Sequence, residues 1–403
     1  MKKAVKIGVI GAGAAGMTAA LVAAEAGAQV ILFEAQAQPG KKLAVTGSGR
    51  CNISNRHIDP SRYVCADGAF VSSVLDCFGH DDLMQFMEGM AVPVMATSDG
   101  WCYPVSQSAA NVVAALTTAL DINRVEVHVQ EPVTDFSPEA GGWRISARAC
   151  YLIDRLVVAS GGVAYPRLGY AGSGYANLGR LGHTIVPPRP ALAPLLADMK
   201  RLHKLQGVRM DVALRLLQGE KSLGSSCGNV IFTQWGINGP AAMDLSHLFG
   251  RQPGDLQLEI NFLAHQETLF LNLFERLSGT RWPLRMLLAS VLAPKVVRVL
   301  LQWSDLDGDL AVRELDAKSR RVLLQHLQST RIKVTGTRDF HYAQVSTGGV
   351  AVTEVEGRSC ASRRCPGLYL AGEVLDVVGP CGGYNLQFAF SSGAVAGRAA
   401  ARM

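Results

Sequence analysis

The chain has 403 residues, 48% of them apolar, with 42 glycines and a formal charge of +6. This composition excludes a disordered or collagen-like protein and suits a large α/β core divided into two or three domains. The cysteines are odd in number, nine, and none forms a CxxC pair, which argues against a disulfide scaffold, a zinc knuckle or a thioredoxin-like redox centre.

Val5 to Ile10 reads as a buried parallel strand, too short for the apolar run of a signal peptide, and leads straight into Gly11-Ala12-Gly13-Ala14-Ala15-Gly16. A helix over Met17 to Ala26 ends at Gly27, and the next strand, Val30 to Phe33, ends at Glu34. Pro39 to Asn55 is a loop dense in glycine and small polar groups. Helical patterns follow around Val71 to Met87 and Ser108 to Leu120. Strands are then expected at Val125 to Val129, Trp143 to Ala149 and Arg155 to Ala159, the last feeding Ser160-Gly161-Gly162. Pro187, Pro188, Pro190 and Pro194 mark an exit from this first domain. Short strand candidates such as Asp211 to Leu217 and Asp255 to Phe262 come next, and residues 264–328 are mostly helical in pattern. From Arg331 strands and glycines return, before a last helix over Phe388 to Ala401. No stretch reaches the roughly 18 apolar residues of a membrane span. A cytoplasmic protein without membrane association is expected.

The glycine turn has a specific physical logic. Its first glycine permits the tight turn, the second lets a pyrophosphate approach the backbone, and the third lets helix pack on strand. Glu34, 23 residues past Gly11, is placed to accept hydrogen bonds from an adenosine ribose. Ala14, Ala15, Ala35 and Val133 complete the candidate cofactor contacts around this turn. The late apolar strand ending in Ala371-Gly372-Glu373 suggests one dinucleotide clasped by both ends of the chain, which favours a tightly held flavin over an exchangeable nicotinamide. In the Pro39 to Asn55 loop, either the glycines only bend the chain and Arg50 is solvated, or Arg50 and neighbouring N–H groups approach the cofactor while Lys41 and Lys42 add charge. Cys51 is either a cofactor contact or a buried structural thiol.

In the distal segment, Gly379, Gly382 and Gly383 lead into the last helix, whose N–H groups can aim at the flavin N1–C2=O edge. Tyr384 either covers the ring or packs beneath it. Ser160, Gly161 and Gly162 suit another close backbone approach. The histidines show no metal-like pairing, and no HExxH or triad motif appears, so no metal is expected. Tyr384 and Glu373 are the catalytic candidates, because their loop should line the flavin.

Three segments, IGAGAAGMTA with GKKLAVTGSGRCNISN, then FTQWGINGPAAMDLS, then GLYLAGEVLDVVGPCGGYNLQFAFSSG, closely resemble the HI0933-like (BaiN/RdsA-type, or aminoacetone oxidase) family of flavoproteins. The resemblance implies an α/β fold: a discontinuous Rossmann-like FAD-binding domain, residues 1–187 and 335–403. It carries an inserted β-rich domain, 188–263 with 329–334, and a small helical domain, 264–328. By motif, Gly11, Gly13, Gly16 and Glu34 would hold the ADP half of FAD. Lys42, Gly49, Arg50, Cys51 and Asn52 match the family's first flavin loop. Gly372, Glu373, Gly382, Gly383, Tyr384, Asn385 and Leu386 match its second. Ser48 stands where many relatives place glycine. There is no second GxGxxG, so NAD(P)H is expected as a transient donor at the flavin face.

The activity implied is an FAD-dependent oxidoreductase that passes hydride from flavin N5 to a C=C bond, either of a uridine in ribosomal RNA or of a small-molecule enone. A flavin-dependent amine oxidase and a non-enzymatic flavin-holding redox or assembly protein are the alternatives. The stretch from Arg281 to Arg298, with Arg285 and Lys295, and the cluster Lys200, Arg201, Lys204 and Arg209 are the basic features that would suit an RNA partner. The sequence leaves oligomeric state open.

Overall fold

The computed structural model describes residues 4–168, 173–250 and 254–402. The chain divides into two compact units, residues 1–189 with 344–403 and residues 190–343.

The first unit is built on a parallel sheet. Its elements in chain order are β1 (Lys6–Ile10), α1 (Ala14–Glu25), β2 (Gln29–Phe33), β3 (Glu126–His128), β4 (Arg155–Val158) and β5 (Leu368–Leu370), and the strand order is β5-β4-β1-β2-β3. All four pairings are parallel, so β5 is added from the far end of the chain, next to β4. The central strands are almost continuously apolar because both sheet faces are covered. The last helix, α2 (Tyr384–Ala401), lies against α1. A Cβ on Gly393 would stand 2.3 Å from the Ala15 carbonyl oxygen, and one on Gly397 the same distance from that of Ala19. The two helices therefore meet backbone to backbone. α1 is buried nearly all round, from Ala14 to Ala23, which accounts for its alanine-rich sequence without a polar face.

Two expectations are corrected here and a third is placed. The pattern over Val71 to Met87 is two helices, Gly68–Cys77 and His80–Gly89, because Gly79 begins a new one with its N–H bonded to Asp82. The strand expected at Trp143 to Ala149 is present as Gly142–Ser146, outside the main sheet. Gly142–Ser146 forms a separate antiparallel sheet with Asp135–Glu139 and Cys150–Ile153. The last helix starts at Tyr384 rather than Phe388, with Gly383 in the left-handed conformation (φ 95°) just before it.

In the second unit, strands Leu195–Ala197, Arg209–Gln218, Lys221–Phe232, Gly236–Asn238, Leu256–Asn261 and Thr330–Thr337 close into a barrel. Closure depends on the last of these, which pairs with Leu256–Asn261 on one side and Leu195–Ala197 on the other, Thr337 facing Leu195. The expected return at residue 335 would cut this strand, and the return falls at Gln344 instead. Helices Glu267–Leu277, Leu284–Ala289, Pro294–Trp303 and Ala317–Gln328 share one hydrophobic core with the barrel, so the β-rich and helical segments make a single compact unit. Among the described residues no helix is long and apolar enough to cross a membrane.

A candidate dinucleotide cleft

β1 delivers the chain to the glycine turn, and each glycine there meets a different surrounding. Gly11 has φ 97°, and a Cβ on it would lie 2.5 Å from the Ala159 carbonyl oxygen. A Cβ on Gly16 would lie 1.8 Å from the Gly11 carbonyl oxygen, so helix and turn touch there. Gly13 has nothing within 4 Å of its Cβ position, which leaves the space a phosphate needs. Gly13 caps α1 without a side-chain hydrogen bond, and no acid stands in the first turn of the helix. The N–H groups of that turn are left for an anion.

An open cleft of about 960 Å³ extends from this turn. Gly11, Gly13, Glu34, Ala35, Lys42, Val133, Ser160, Gly161 and Gly162 line it together, so nine of the expected cofactor residues share one wall or another of a single space. Glu34 ends β2, and its carboxylate accepts from the Ala12 N–H at 2.8 Å and the Gln36 N–H at 2.8 Å, one bond to each oxygen. Each oxygen keeps acceptor capacity for a ribose hydroxyl. These donors, the acid and the open backbone fit the ADP half of a dinucleotide.

The remaining expected residues lie outside that wall and do different work. Ala14 and Ala15 are buried, and Ala15 packs against Gly372, whose Cβ position is 2.8 Å from the Ala15 methyl. Gly372 (φ 76°) also donates its N–H to Ser392 Oγ at 2.9 Å. Gly49 and Arg50 are exposed; the Arg50 guanidinium lies 4.7 Å from the centre of the Tyr103 ring. Cys51 is fully buried, and burial pushes its thiol up to about 12, so it is a neutral thiol at any physiological pH.

Asn52, with its amide turned to satisfy both ends, donates to the carbonyls of Cys102 and Ser54 and accepts from the Gly383 N–H. Asn55 donates to the Gly382 carbonyl at 2.9 Å, and a Cβ on Gly383 would stand 2.1 Å from the Ser54 carbonyl oxygen. Asn385 closes the same loop on itself by accepting from the Gly379 N–H and donating to the Gly379 carbonyl. Leu386 packs against the core. The first and second flavin loops of the sequence are thus joined directly, backbone to backbone.

The two catalytic candidates are both bound into this framework. Glu373 pairs with Lys42 Nζ at 2.7 Å and accepts from the Ser346 N–H at 2.8 Å and the Ser346 hydroxyl at 3.0 Å. It stands behind Gly162, whose Cβ position lies 2.4 Å from Glu373 Oε1. Tyr384 is wholly buried; its hydroxyl donates to the His57 carbonyl at 2.6 Å and accepts from Arg62 at 3.1 Å, while Arg62 also lies 4.9 Å from the ring centre. Tyr384 is thus packed into the core with its hydroxyl fully engaged, outside the lining of the cleft.

Sequence reasoning passed over several residues that shape this region. Ser346, at the start of Ser346-Thr347-Gly348-Gly349, fixes Glu373; the glycine pair, with φ 86° and 122°, was its visible signal. His80 and Gln387 meet the buried Ser54 hydroxyl at 2.9 and 2.5 Å, and burial holds the His80 imidazole below its ordinary range. Glu131, Phe136 and Leu168 add to the cleft lining. No motif marks these.

A family model described as the HI0933-like protein Rossmann domain matches residues 5–399. The chain is 33% identical to the 3-dehydro-bile acid delta(4,6)-reductase of Clostridium scindens, covering 98% of this chain and 99% of the relative. It is 30% identical to the ribosomal RNA dihydrouridine synthase of Escherichia coli, covering 95% of each. Among solved structures it is similar to a 3-ketosteroid-delta4-(5alpha)-dehydrogenase from Rhodococcus jostii in complex with 4-androstene-3,17-dione. The TM-score is 0.54 at 15% identity, covering 100% of this chain and 98% of that one, a likeness of fold alone.

Proposed function

This chain belongs to the HI0933-like family and is a flavin-dependent oxidoreductase, and we propose that it reduces an electron-poor carbon–carbon double bond using NAD(P)H. The observation that carries the FAD assignment is the open Gly13 position at the head of α1, in one cleft with Glu34 and Lys42. FAD, when bound, would supply the hydride chemistry between NAD(P)H and the acceptor carbon, and the proton that completes the saturated bond would come from solvent water. The first-turn N–H groups of α1 would hold the pyrophosphate, and Glu34 would accept from the adenosine ribose. Lys42, held in place by its ion pair with Glu373, offers a hydrogen-bond donor to the same cleft. In this reading Glu373 and Tyr384 position the loops and transfer no proton themselves. The reaction is placed in the cytoplasm, where NAD(P)H is available.

The names of both relatives describe products or reactions in which a ring double bond is saturated, which supports the C=C reading over amine oxidation. The acceptor is a conjugated ring, either a small enone or a uridine of ribosomal RNA. The test is to reduce the purified flavoprotein anaerobically with NADH or NADPH and follow flavin absorbance on adding a steroid enone or ribosomal RNA lacking dihydrouridine. Fast reoxidation with a saturated product is expected for one of them. Reduced flavin that ignores both and reoxidises only with oxygen would overturn the C=C reading in favour of an oxidase.

A further inference from the structure

We propose that residues 198–209 and the helix Pro294–Trp303 form one surface that grips the phosphate backbone of structured RNA. The inference rests on the reductase reading only for which RNA is bound. The formal charge is unevenly divided: residues 190–343 hold 19 basic against 14 acidic side chains, whereas the rest of the chain holds 20 against 19.

Two basic stretches far apart in sequence meet in the second unit. Lys204 Nζ donates to Gln302 Oε1 at 2.6 Å, and Lys295 Nζ donates to the Gln206 carbonyl at 2.7 Å. The Arg201 guanidinium lies 5.8 Å from the centre of the Trp303 ring. Lys200, Arg201, Lys204, Lys295 and Arg298 are all exposed, and none joins an ion pair among the described residues. Asp198, the lone carboxylate of the first stretch, accepts from the Lys200 N–H, and the helix has no acid at all. Lys295 also stands in the first turn of its helix, where the helix dipole disfavours a cation. Clustered like charges with no acidic partner are a cost to the folded chain that an anionic ligand removes.

Arg285, in the same basic stretch of sequence, adds no free charge: its Nε is bound to Asp309 at 2.6 Å, which neutralises it.

The chemistry favours RNA over the other large polyanions. None of the large exposed apolar side chains falls within 198–209 or 294–303, so these two stretches offer no apolar anchor to a lipid or protein interface. The same unit carries aromatic rings and a guanidinium of the kind on which unpaired bases stack. Ala197, three residues before Lys200, donates its N–H to the Trp235 carbonyl at 3.2 Å. The Arg338 guanidinium lies 4.9 Å from the Trp235 ring centre and 3.2 Å from that of the exposed Tyr342.

The test measures binding of the flavin-loaded full chain to a labelled ribosomal RNA hairpin transcript by fluorescence anisotropy over a salt series. The triple variant Lys204→Glu, Lys295→Glu, Arg298→Glu is expected to weaken binding about 100-fold and to lower the slope of log affinity against log salt by about 2 to 3. Flavin content and the rate of reduction by NAD(P)H should stay unchanged. Lys221→Glu is the matched control. It pairs with Gln218 at one end of the long hairpin whose other end carries Arg209, roughly 30 Å away, and it should bind RNA as the wild type does. The proposal is overturned if the wild type does not bind the transcript, if the triple variant stays within threefold of it, or if Lys221→Glu loses as much. Equal affinity of the wild type for phosphatidylserine-containing vesicles, lost in the same triple variant, would overturn it in favour of a membrane surface. If the triple variant behaves as expected but RNA never reoxidises the reduced flavin, the surface stands and the RNA-reductase reading falls.

Discussion

In residues 1–189 and 344–403 the closest approaches are between backbones: Gly16 on the Gly11 carbonyl, Gly383 on that of Ser54, Gly393 and Gly397 on those of Ala15 and Ala19. In residues 190–343 such approaches join neighbouring barrel strands, as Gly236 on the Leu195 carbonyl, while the core of the unit is filled by large side chains. Phe232 stacks on Phe262 with ring centres 6.2 Å apart, and Phe270 meets Phe274 at 5.8 Å, all four nearly or wholly buried. The difference separates two ways of specifying a structure. The first unit joins its helices and loops where side chains are missing, and its glycine turn leaves bare N–H groups open. The second fills its core with side-chain volume.

The sharpest way to break this contrast is at the glycines. Gly16→Ala should cost about 3–5 kcal/mol or abolish folding, because its methyl has no room against a carbonyl oxygen that belongs to the turn itself. Gly13→Ala, at an ordinary φ of −83° and in open space, should leave the melting temperature of the flavin-free protein where it is and yet lose FAD from purified protein. Thermal melts and flavin absorbance decide the pair. A tolerated Gly16→Ala would mean that the backbone contact is not what holds this unit.

Phe262→Ala probes the other unit and should cost about 3–5 kcal/mol through the cavity it leaves. Flavin content should not change, and denaturant unfolding measures the loss.

A smaller effect is expected from pH. Hydrogen bonding to Arg364, with help from Thr184, holds the Glu354 carboxyl at about 2, below its ordinary value near 4.5. A depressed carboxyl stabilises fully above pH 4.5 and loses that contribution as pH falls toward 2, a change of about 2 kcal/mol. Its neighbour His183 is pushed down by burial even though Glu354 pulls the other way, and the geometry supports burial as the stronger effect, since the imidazole is wholly enclosed. Its neutral form is the one the fold prefers, so stability starts to fall below about pH 6.5. Glu354→Gln should flatten the acid limb of a stability–pH curve below pH 4.5 and, by removing the upward pull on His183, deepen the fall below pH 6.5.

The smallest expected effect is a gain. Ser48 has φ 58°, between Gly47 at 56° and Gly49 at 84°, in a conformation that suits glycine. Ser48→Gly should relieve about 1 kcal/mol of strain, partly offset by backbone entropy. A melting temperature that falls would show that the serine side chain is needed there.

The parts of this molecule that could be read from the sequence are those whose cause is local. The glycine turn, β1, α1 and β2 follow from spacing within thirty residues, and Glu34 arrives where the spacing puts it. The barrel was legible only as scattered strands. Two of its members, Leu195–Ala197 and Gly236–Asn238, are three residues long, too short to show a period of two, and its closing strand comes after some sixty helical residues. Tyr384 shows the same limit at a single residue. Its neighbours suggested a flavin-facing loop, but its hydroxyl is bound to the carbonyl of His57, 327 positions away. Glu373 was seen as an acid, while the lysine and serine that occupy its carboxylate lie 331 and 27 residues off.

The placement of β5 has a consequence for the order in which the molecule is made. β4 ends at Val158 and its parallel neighbour starts at Leu368, so at ribosomal speeds the sheet waits roughly 10–40 s for its last strand. During that interval β4 is an unpaired apolar edge, and α1 lacks the glycine face of α2 that later covers it. Residues 190–343, whose barrel strands and helices all lie within one continuous stretch, can complete their own core in the meantime. The nascent chain should therefore gain protease resistance in its middle before its beginning, and its first hundred and sixty residues are where a chaperone would be needed.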